Sequence, residues 1–160
     1  MTDTTVRPVT PGDLDAICRH RREMFKASGR TDEMVAPMSE HFRPWLAQRL
    51  QDGRYFGWFI VADAAILAGV GMMAIDWPPH PSHPTQCERG YILNMYVEPT
   101  HRRRGFGKQL MGLCRDEAER RGLDYLVLHA TRQGRGLYEQ LGWSATAEMG
   151  LSVTPSASRP

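Results

Sequence analysis

Long apolar runs are missing from this chain, and so is any strong excess of one charge. No stretch approaches the roughly eighteen consecutive apolar residues that a membrane-spanning helix needs. Residues 1–5 form neither a basic nor an apolar segment, so no signal peptide is expected. The formal net charge is +2, which does not indicate an extensive basic surface for nucleic acid.

Cysteine is scarce as well. The three cysteines, Cys18, Cys87 and Cys114, are widely spaced and odd in number, which favours free thiols in a reducing cytoplasm over a disulfide framework. The 160 residues are 41% hydrophobic and 24% charged, which is typical of one globular domain with a single core. We expect that domain to span residues 1–153, with a disordered Ser/Pro-rich tail at 154–160.

The most informative segment is an apolar strand, residues 91–97, that runs into a short basic turn with glycines. A helix is expected directly afterwards. Glycines let backbone N–H groups approach a phosphate, and a helix N-terminus directs positive potential at the same point. Arg102, Arg103, Arg104 and Lys108 add positive charge. This layout predicts a turn that binds a pyrophosphate.

The spacing of this turn fits neither common nucleotide-binding motif. A Walker A loop needs Ser or Thr after its lysine, but Gln109 follows Lys108. The Rossmann fingerprint needs a third glycine where Leu110 stands. The residues read Arg102-x-x-Gly105-x-Gly107. This pattern resembles the acetyl-CoA signature of the GNAT N-acetyltransferase superfamily, Arg/Gln-x-x-Gly-x-Gly/Ala.

A second segment carries the same resemblance. Residues 123–130 predict a strand, and residues 133–141 predict a helix that includes Leu137-Tyr138-Glu139-Gln140-Leu141 and precedes Gly142-Trp143. The latter is similar to the family's late helix, Leu-Tyr-Glu-x-Leu-Gly-Phe. The resemblance covers residues 89–143 well, and it implies a single α/β domain. In that fold a mixed, mostly antiparallel central sheet is flanked by about four helices.

The N-terminal half predicts elements that fit this plan. They are a strand at 5–9 with a proline typical of a sheet edge, helices at 10–28 and 37–51, and a hairpin of strands at 55–61 and 66–75. Residues 77–85 contain four prolines and predict a stiff, extended loop.

The resemblance implies acetyl transfer from acetyl-CoA to a small-molecule or peptide amine, by direct attack in a ternary complex. Tyr138 stands where the family has a tyrosine that acts as general acid. A β-bulge in the strand at 91–97 and a backbone oxyanion donor near Met95 are also implied. The residues that would bind the cofactor are Met95, Tyr96, Val97, Arg102, Arg103, Arg104, Gly105, Phe106, Gly107, Lys108, Thr131 and Tyr138.

The general base is not identified by the resemblance. Several members carry a glutamate at the position of Tyr91, eleven residues before Arg102. Glu88, His80 and His83 are weak alternatives, and both histidines are more simply interpreted as exposed loop residues. His129 is more simply interpreted as a core or rim histidine than as a catalyst.

Other departures leave further questions open. Thr131 replaces an asparagine that contacts the cofactor in many members. Asn94, a polar residue in an apolar strand, would face either the acceptor cleft or water. No metal site is expected, because His80, His83 and Cys87 offer too few ligands.

Two rival functions follow from the same residues. A CoA-binding regulatory or structural module without catalysis is favoured by the missing glutamate and opposed by Tyr138. A nucleic-acid binder using Arg102 to Arg104 would need a larger basic patch, so we expect neither nucleic acid nor membrane as a partner. The aromatic residues Phe42, Trp45 and Trp77 favour a partly apolar acceptor. Dimers are common in the family, which leaves a homodimer open.

Overall fold

Five strands form one sheet in chain order, as a computed structural model shows for residues 3–153. The expected disorder of residues 154–160 lies outside the described residues. The elements are β1 (Thr5–Pro8), α1 (Leu14–Ala27), α2 (Asp32–Gln51), β2 (Phe56–Ala62), β3 (Ala65–Asp76), β4 (Glu88–Val97), α3 (Phe106–Arg121), β5 (Leu126–Leu128) and α4 (Arg135–Gln140). Single helical turns at Pro11–Asp13 and Pro99–His101 lead into α1 and towards α3.

The strand directions confirm the predicted fold class. Strands β1 to β4 pair antiparallel, and β5 pairs parallel to β4. A parallel neighbour requires a crossover connection, and α3 provides it. The proline of β1 lies on the edge strand, where its missing N–H removes no bond from the sheet interior.

Each face of the sheet is covered by different helices, because side chains alternate along each strand. Ile92 of β4 packs with Leu110 and Cys114 of α3 in one cluster. The next residue, Leu93, packs with Ile17 of α1 and Leu46 of α2 in the other cluster. The sheet therefore lies between α3 on one side and the α1–α2 pair on the other.

The predicted start of α2 at Pro37 is wrong. The helix begins at Asp32, because the Thr31 hydroxyl accepts a hydrogen bond from the Met34 N–H at 3.4 Å and caps the N-terminus. Pro37 lies inside the helix and removes one backbone donor without ending it. Proline favours the first helical turn, and that preference misplaced the boundary.

The remaining boundaries differ from prediction by a few residues. The hairpin of β2 and β3 is confirmed, and β4 begins at Glu88, opposite Asp76 of β3. Strand β5 has only three residues, whereas eight were predicted, since β4 offers it a partner over a short stretch only. Helix α4 is shorter than predicted at both ends.

Within residues 3–153, no helix combines the length and the apolar character that crossing a membrane would require.

Candidate active site

The turn between β4 and α3 has an unusual backbone. Arg103 has a φ of 63° and Gly105 a φ of 85°. A positive φ is uncommon for a residue other than glycine, and such residues concentrate at functional sites. A Cβ added at Gly105 would meet nothing within 4 Å, so the space in front of the turn is open. The φ angle is positive at Arg103 and Gly105 but not at Arg104. Alternation of this kind turns successive backbone N–H groups towards one point, where an anion can bind.

The N-terminus of α3 completes this turn. The Gln109 N–H donates to the Gly105 carbonyl at 3.0 Å, so the N–H groups of Phe106, Gly107 and Lys108 precede the first bond of the helix. Among the described residues no side chain caps this end. Arg103, Arg104 and Lys108 are exposed beside it. Free donors, the helix dipole and cationic side chains together fit a pyrophosphate.

Two residues of the signature have a packing role. The Phe106 side chain is buried in the core under α3. A Cβ on Gly107 would lie 2.8 Å from Leu137 Cδ2, so glycine allows α3 and α4 to approach closely. The signature therefore fixes the position of the turn as well as its open surface.

Strand β4 contains the bulge that the resemblance implied. Tyr96 lies opposite Gly69 and Leu93 opposite Gly71, so Asn94 and Met95 together face Val70. Asn94 has a φ of 55°, a conformation that Asn tolerates better than most residues. The bulge bends β4 at the residue whose N–H was expected to bind an oxyanion.

Strands β4 and β5 separate soon after the bulged strand begins. Their pairing joins Gly90–Ile92 to Leu126–Leu128. Among the described residues, the backbone from Met95 to Val97 has no strand partner on that side. Arg102 Nε donates to the Val97 carbonyl at 3.1 Å. That carbonyl keeps a second lone pair, so it can still accept a further bond.

A cavity of about 890 Å³ opens between α3, β5 and α4. Lys108, Thr131 and Tyr138 line it, together with residues 125–130 and the segment that follows α4. The other predicted cofactor residues do not line it. The volume lies in the range of ligand sites, and Lys108 connects the cavity to the phosphate turn.

Tyr138 is held in this cavity by packing. Its ring lies 6.2 Å from the Trp143 ring, and 9% of the residue is exposed. A Cβ on Gly134 would lie 3.1 Å from Tyr138 Cε2, so glycine avoids a tight contact with the ring there. Burial raises the pKa of Tyr138 to about 12. Within residues 3–153 its hydroxyl makes no hydrogen bond, which leaves it available to a ligand.

The match to a known family decides the identity. The model of the acetyltransferase (GNAT) family matches residues 14–143. The chain belongs to the GNAT acetyltransferase family. Acetyl-CoA is the acyl donor of this family, and the turn, the bulge and the open edge of β4 fit that donor. No curated protein matches the chain significantly.

Solved structures of GNAT proteins are similar over nearly the whole chain. A GCN5-related N-acetyltransferase from Ralstonia eutropha JMP134 is 50% identical with a TM-score of 0.93, over 94% of this chain and 99% of that one. A predicted acetyltransferase from Clostridium acetobutylicum, solved with acetyl-CoA, is 24% identical with a TM-score of 0.85, over 95% and 96%. Glucosamine-6-phosphate N-acetyltransferase from Arabidopsis thaliana is 15% identical with a TM-score of 0.69, over 96% and 99%. The last two show the fold alone.

Thr131 has a local partner in this GNAT domain. Its hydroxyl and its carbonyl both accept from the Gly134 N–H at 3.1 Å. Thr131 thus shapes the turn that begins α4 and places Tyr138. A contact from Thr131 to the cofactor stays a prediction.

The interpretation of His83 as an exposed loop residue is wrong. His83 is fully buried, because the proline-rich loop folds back and the His83 N–H donates to the His80 carbonyl at 2.8 Å. His83 Nδ1 donates to the Gln86 carbonyl at 3.3 Å, and Nε2 accepts from Arg89 at 2.9 Å. With both ring nitrogens engaged, His83 is a poor base. His80 and Glu88 are exposed, as expected for His80.

Asn94 faces neither the cleft nor water, contrary to both alternatives. It is 4% exposed, its Nδ2 donates to the Tyr55 hydroxyl at 3.0 Å, and its Oδ1 accepts from Arg21 at 2.8 Å. Arg21 lies over the Phe42 ring, with 4.5 Å to the ring centre. Phe42 is therefore a core residue covered by Arg21.

A polar chain that sequence reasoning missed lies beside the cavity. The Tyr91 hydroxyl donates to His129 Nδ1 at 3.1 Å, and His129 Nε2 donates to Glu148 Oε1 at 3.0 Å. These partners are 38 and 19 residues apart, so no local pattern links them. The only signal in the sequence was that Tyr91 stands at the position where several family members carry a glutamate.

The second missed group lies under β4. His20 is 1% exposed, and its Nε2 lies 3.4 Å from Glu98 Oε1 in a geometry that makes no hydrogen bond. Arg19 donates to the same carboxylate. Burial lowers the pKa of His20 to about 4, so the ring is neutral at neutral pH.

No group of three or more potential metal ligands occurs within residues 3–153.

Proposed function

We propose that this GNAT protein is an N-acetyltransferase that moves an acetyl group from acetyl-CoA to an amine by direct attack in a ternary complex. The observation that carries this proposal is the uncapped, cationic turn at the start of α3, followed along the chain by the available hydroxyl of Tyr138. Acetyl-CoA supplies a thioester carbonyl that an amine can attack.

The turn and the unpaired edge of β4 bind different parts of acetyl-CoA. Backbone N–H groups at Gly105 to Lys108 and the neighbouring arginines hold the pyrophosphate. Met95 and Val97 offer backbone groups to the pantetheine amides in the manner of an added strand. The Met95 N–H, directed by the bulge, is the oxyanion donor.

Tyr138 assists the departure of the thiolate. With a pKa of about 12 it stays protonated at neutral pH. The ordinary pKa of a thiol is about 8.5, and the burial that raises the pKa of Tyr138 also raises the affinity of the departing thiolate for a proton. Tyr138 therefore acts first as a hydrogen-bond donor to the sulfur, and the proton moves as negative charge develops there.

The acceptor is a small-molecule or peptide amine. Phe42, which was expected to favour an apolar acceptor, lies in the core. Trp77 is 39% exposed and lies under Arg89, at 4.1 Å from the guanidinium carbon to the ring centre. The exposed part of Trp77 is what supports an acceptor with an apolar part next to its amine. The described cysteines are free thiols, which supports the cytoplasm as the compartment.

A homodimer is supported by one exposed stripe. Met149, Leu151 and Val153 alternate along the chain and are 94%, 89% and 84% exposed. Alternation is the pattern of a strand, and in the described sheet β5 has an unpaired outer edge. Each chain thus carries an exposed segment with a strand pattern and an unpaired strand edge. The pairing of the one with the other between two copies is called the joint below. We propose that residues 149–153 of each copy dock against β5 of the other.

Calorimetric titration with acetyl-CoA and CoA tests the donor site, and thiol release with a panel of primary amines tests transfer. We expect one site per chain, and a stabilisation of about 2.7 kcal/mol at a hundredfold excess over Kd. Binding without thiol release from any amine would favour a CoA-binding module. Binding of duplex DNA that weakens by orders of magnitude between about 50 and 200 mM salt would favour the nucleic-acid alternative.

A further inference from the structure

Tyr91, His129 and Glu148 form a continuous line of hydrogen bonds. Tyr91 O–H donates to His129 Nδ1 at 3.1 Å, and His129 Nε2–H donates to Glu148 Oε1 at 3.0 Å. The carboxylate therefore fixes the imidazole tautomer that has its lone pair on Nδ1. This is the order of groups by which a carboxylate orients an imidazole that accepts a proton.

The line lies where β4 and β5 separate. Ile92 and Leu128 are the last residues paired between the two strands, and His129 follows directly. Tyr91 is half-buried beside this point, while His129 reaches solvent. The three side chains thus form a path from the point where β4 and β5 separate to bulk water.

The direction of β4 places this point beyond the phosphate turn and beyond Met95, the proposed oxyanion donor. The phosphate turn follows Val97, and the proposed pantetheine contacts run back along the strand through Met95. Continuing in that direction leads to Tyr91, on the same strand. This step rests on the proposed function, because it uses the proposed course of the donor.

We propose that Tyr91, His129 and Glu148 are the proton relay that deprotonates the acceptor amine. As the amine nitrogen bonds to the acetyl carbon and the C–S bond breaks, the amine proton passes to the Tyr91 oxygen. The Tyr91 proton passes at the same time to His129 Nδ1. Glu148 stabilises the resulting imidazolium, which releases its proton to water. The thiolate takes its proton from Tyr138, which is reprotonated from water.

The surroundings support these roles. Burial raises the pKa of Tyr91, so its phenol stays protonated and donates to the imidazole. The charged groups that act on Tyr91 are Arg21 from α1 and Glu148 itself. The cavity that His129 and Glu148 line also has the charged side chains of Lys108, Arg115, Arg132, Arg135 and Glu139 on its wall. The relay also accounts for a base in a chain that has Tyr91 where several GNAT members carry glutamate.

The test compares His129→Ala, Glu148→Gln and Tyr91→Phe with the wild type, using acetyl-CoA and benzylamine as probe substrates from pH 6 to 10. For His129→Ala we expect kcat to fall about 10²-fold with unchanged Kd for acetyl-CoA. Added imidazole should restore part of the rate, because the 64% exposed side chain leaves a solvent-open space. The pH profile of kcat should change shape in this variant, because the group that accepts the amine proton is lost.

His41→Ala, which removes another exposed histidine, is the matched control and should keep its rate. A wild-type rate and pH profile in His129→Ala would overturn the relay. So would a lost rate accompanied by lower thermal stability and no rescue by imidazole, because that result indicates a structural tether. If the wild type binds no acetyl-CoA, the proposed function itself fails, and the relay fails with it.

Discussion

The Asn94 amide donates to the Tyr55 hydroxyl at 3.0 Å and ties the bulge of β4 to the residue that precedes β2. Both residues are buried, at 4% and 3% exposure. Arg21 donates to the other end of the amide at 2.8 Å. The side chain is therefore satisfied from two directions, and it holds the backbone at the position that orients the Met95 N–H.

Tyr55→Phe is expected to destabilise the protein by about 1–3 kcal/mol, because it leaves a buried amide donor without a partner. Urea denaturation followed by fluorescence measures the change. Tyr125→Phe is the control, since its hydroxyl makes no hydrogen bond within residues 3–153, and it should lie within about 0.5 kcal/mol of the wild type. Equal losses in the two variants would contradict the role given to the amide.

The sequence predicted the parts of this site that depend on neighbours along the chain. The phosphate turn was predictable because glycine spacing, basic residues and a helix start lie within one short segment. The bulge was implied by the resemblance only, since an asparagine in an apolar strand is compatible with several environments. The partners of Asn94 come from α1 and from the residue before β2, which no local pattern connects.

The predictions for His83 and for the start of α2 were wrong for a related reason. Polar residues on a proline-rich loop are usually exposed, yet Arg89 and Gln86 supply buried partners for His83. Thr31 caps a helix six residues before the proline that was interpreted as its start. In both cases a contact that the composition does not reveal decided the structure.

Gly105→Val should abolish acetyl-CoA binding while the domain still folds. The side chain would project into the open space in front of the turn, and the φ of 85° adds backbone strain. Gly122→Val at the C-terminus of α3 is the matched control, because its φ is 69° and its surroundings are also open. Calorimetry should show binding lost in the first variant and retained in the second. An unchanged Kd in folded Gly105→Val would refute the phosphate site.

Tyr138→Phe should lower kcat by about 10²-fold with little change in the Kd for acetyl-CoA, since only the hydroxyl is removed. The packing against Trp143 remains. The measurement is thiol release at saturating donor, with Tyr125→Phe as a second phenol of the same cavity. A fully active Tyr138→Phe would assign the acid role to water.

Stability should fall as the pH is lowered from about 6.5 towards 4. The pKa of His20 is about 4 in the fold and near 6.5 in the unfolded chain, so the unfolded chain binds a proton that the native ring refuses. Over the full range from pH 6.5 to 4, the free energy of unfolding should fall by roughly 3 kcal/mol. His20→Gln should flatten the dependence between pH 5 and 7, measured by urea denaturation.

The carboxylate of Glu98 acts in the same direction but at lower pH. Burial alone would raise its pKa, yet the bond from Arg19 lowers it below the usual 4.5. Its contribution is therefore present above that value and lost below it. An equal slope between pH 5 and 7 in wild type and His20→Gln would show that another group carries the effect.

Leu151→Asp should convert a dimer into a monomer without destabilising the monomer. Leu151 is 89% exposed, so the substitution disturbs little packing within residues 3–153, but it places a charge in the proposed joint with β5 of the second copy. Size-exclusion chromatography with light scattering at tens of micromolar protein measures the mass. Ser152→Asp is the matched control, because adjacent strand residues point to opposite faces, and it should leave the dimer intact. A wild type that elutes as a monomer at this concentration, or a dimer insensitive to Leu151→Asp, would contradict the joint.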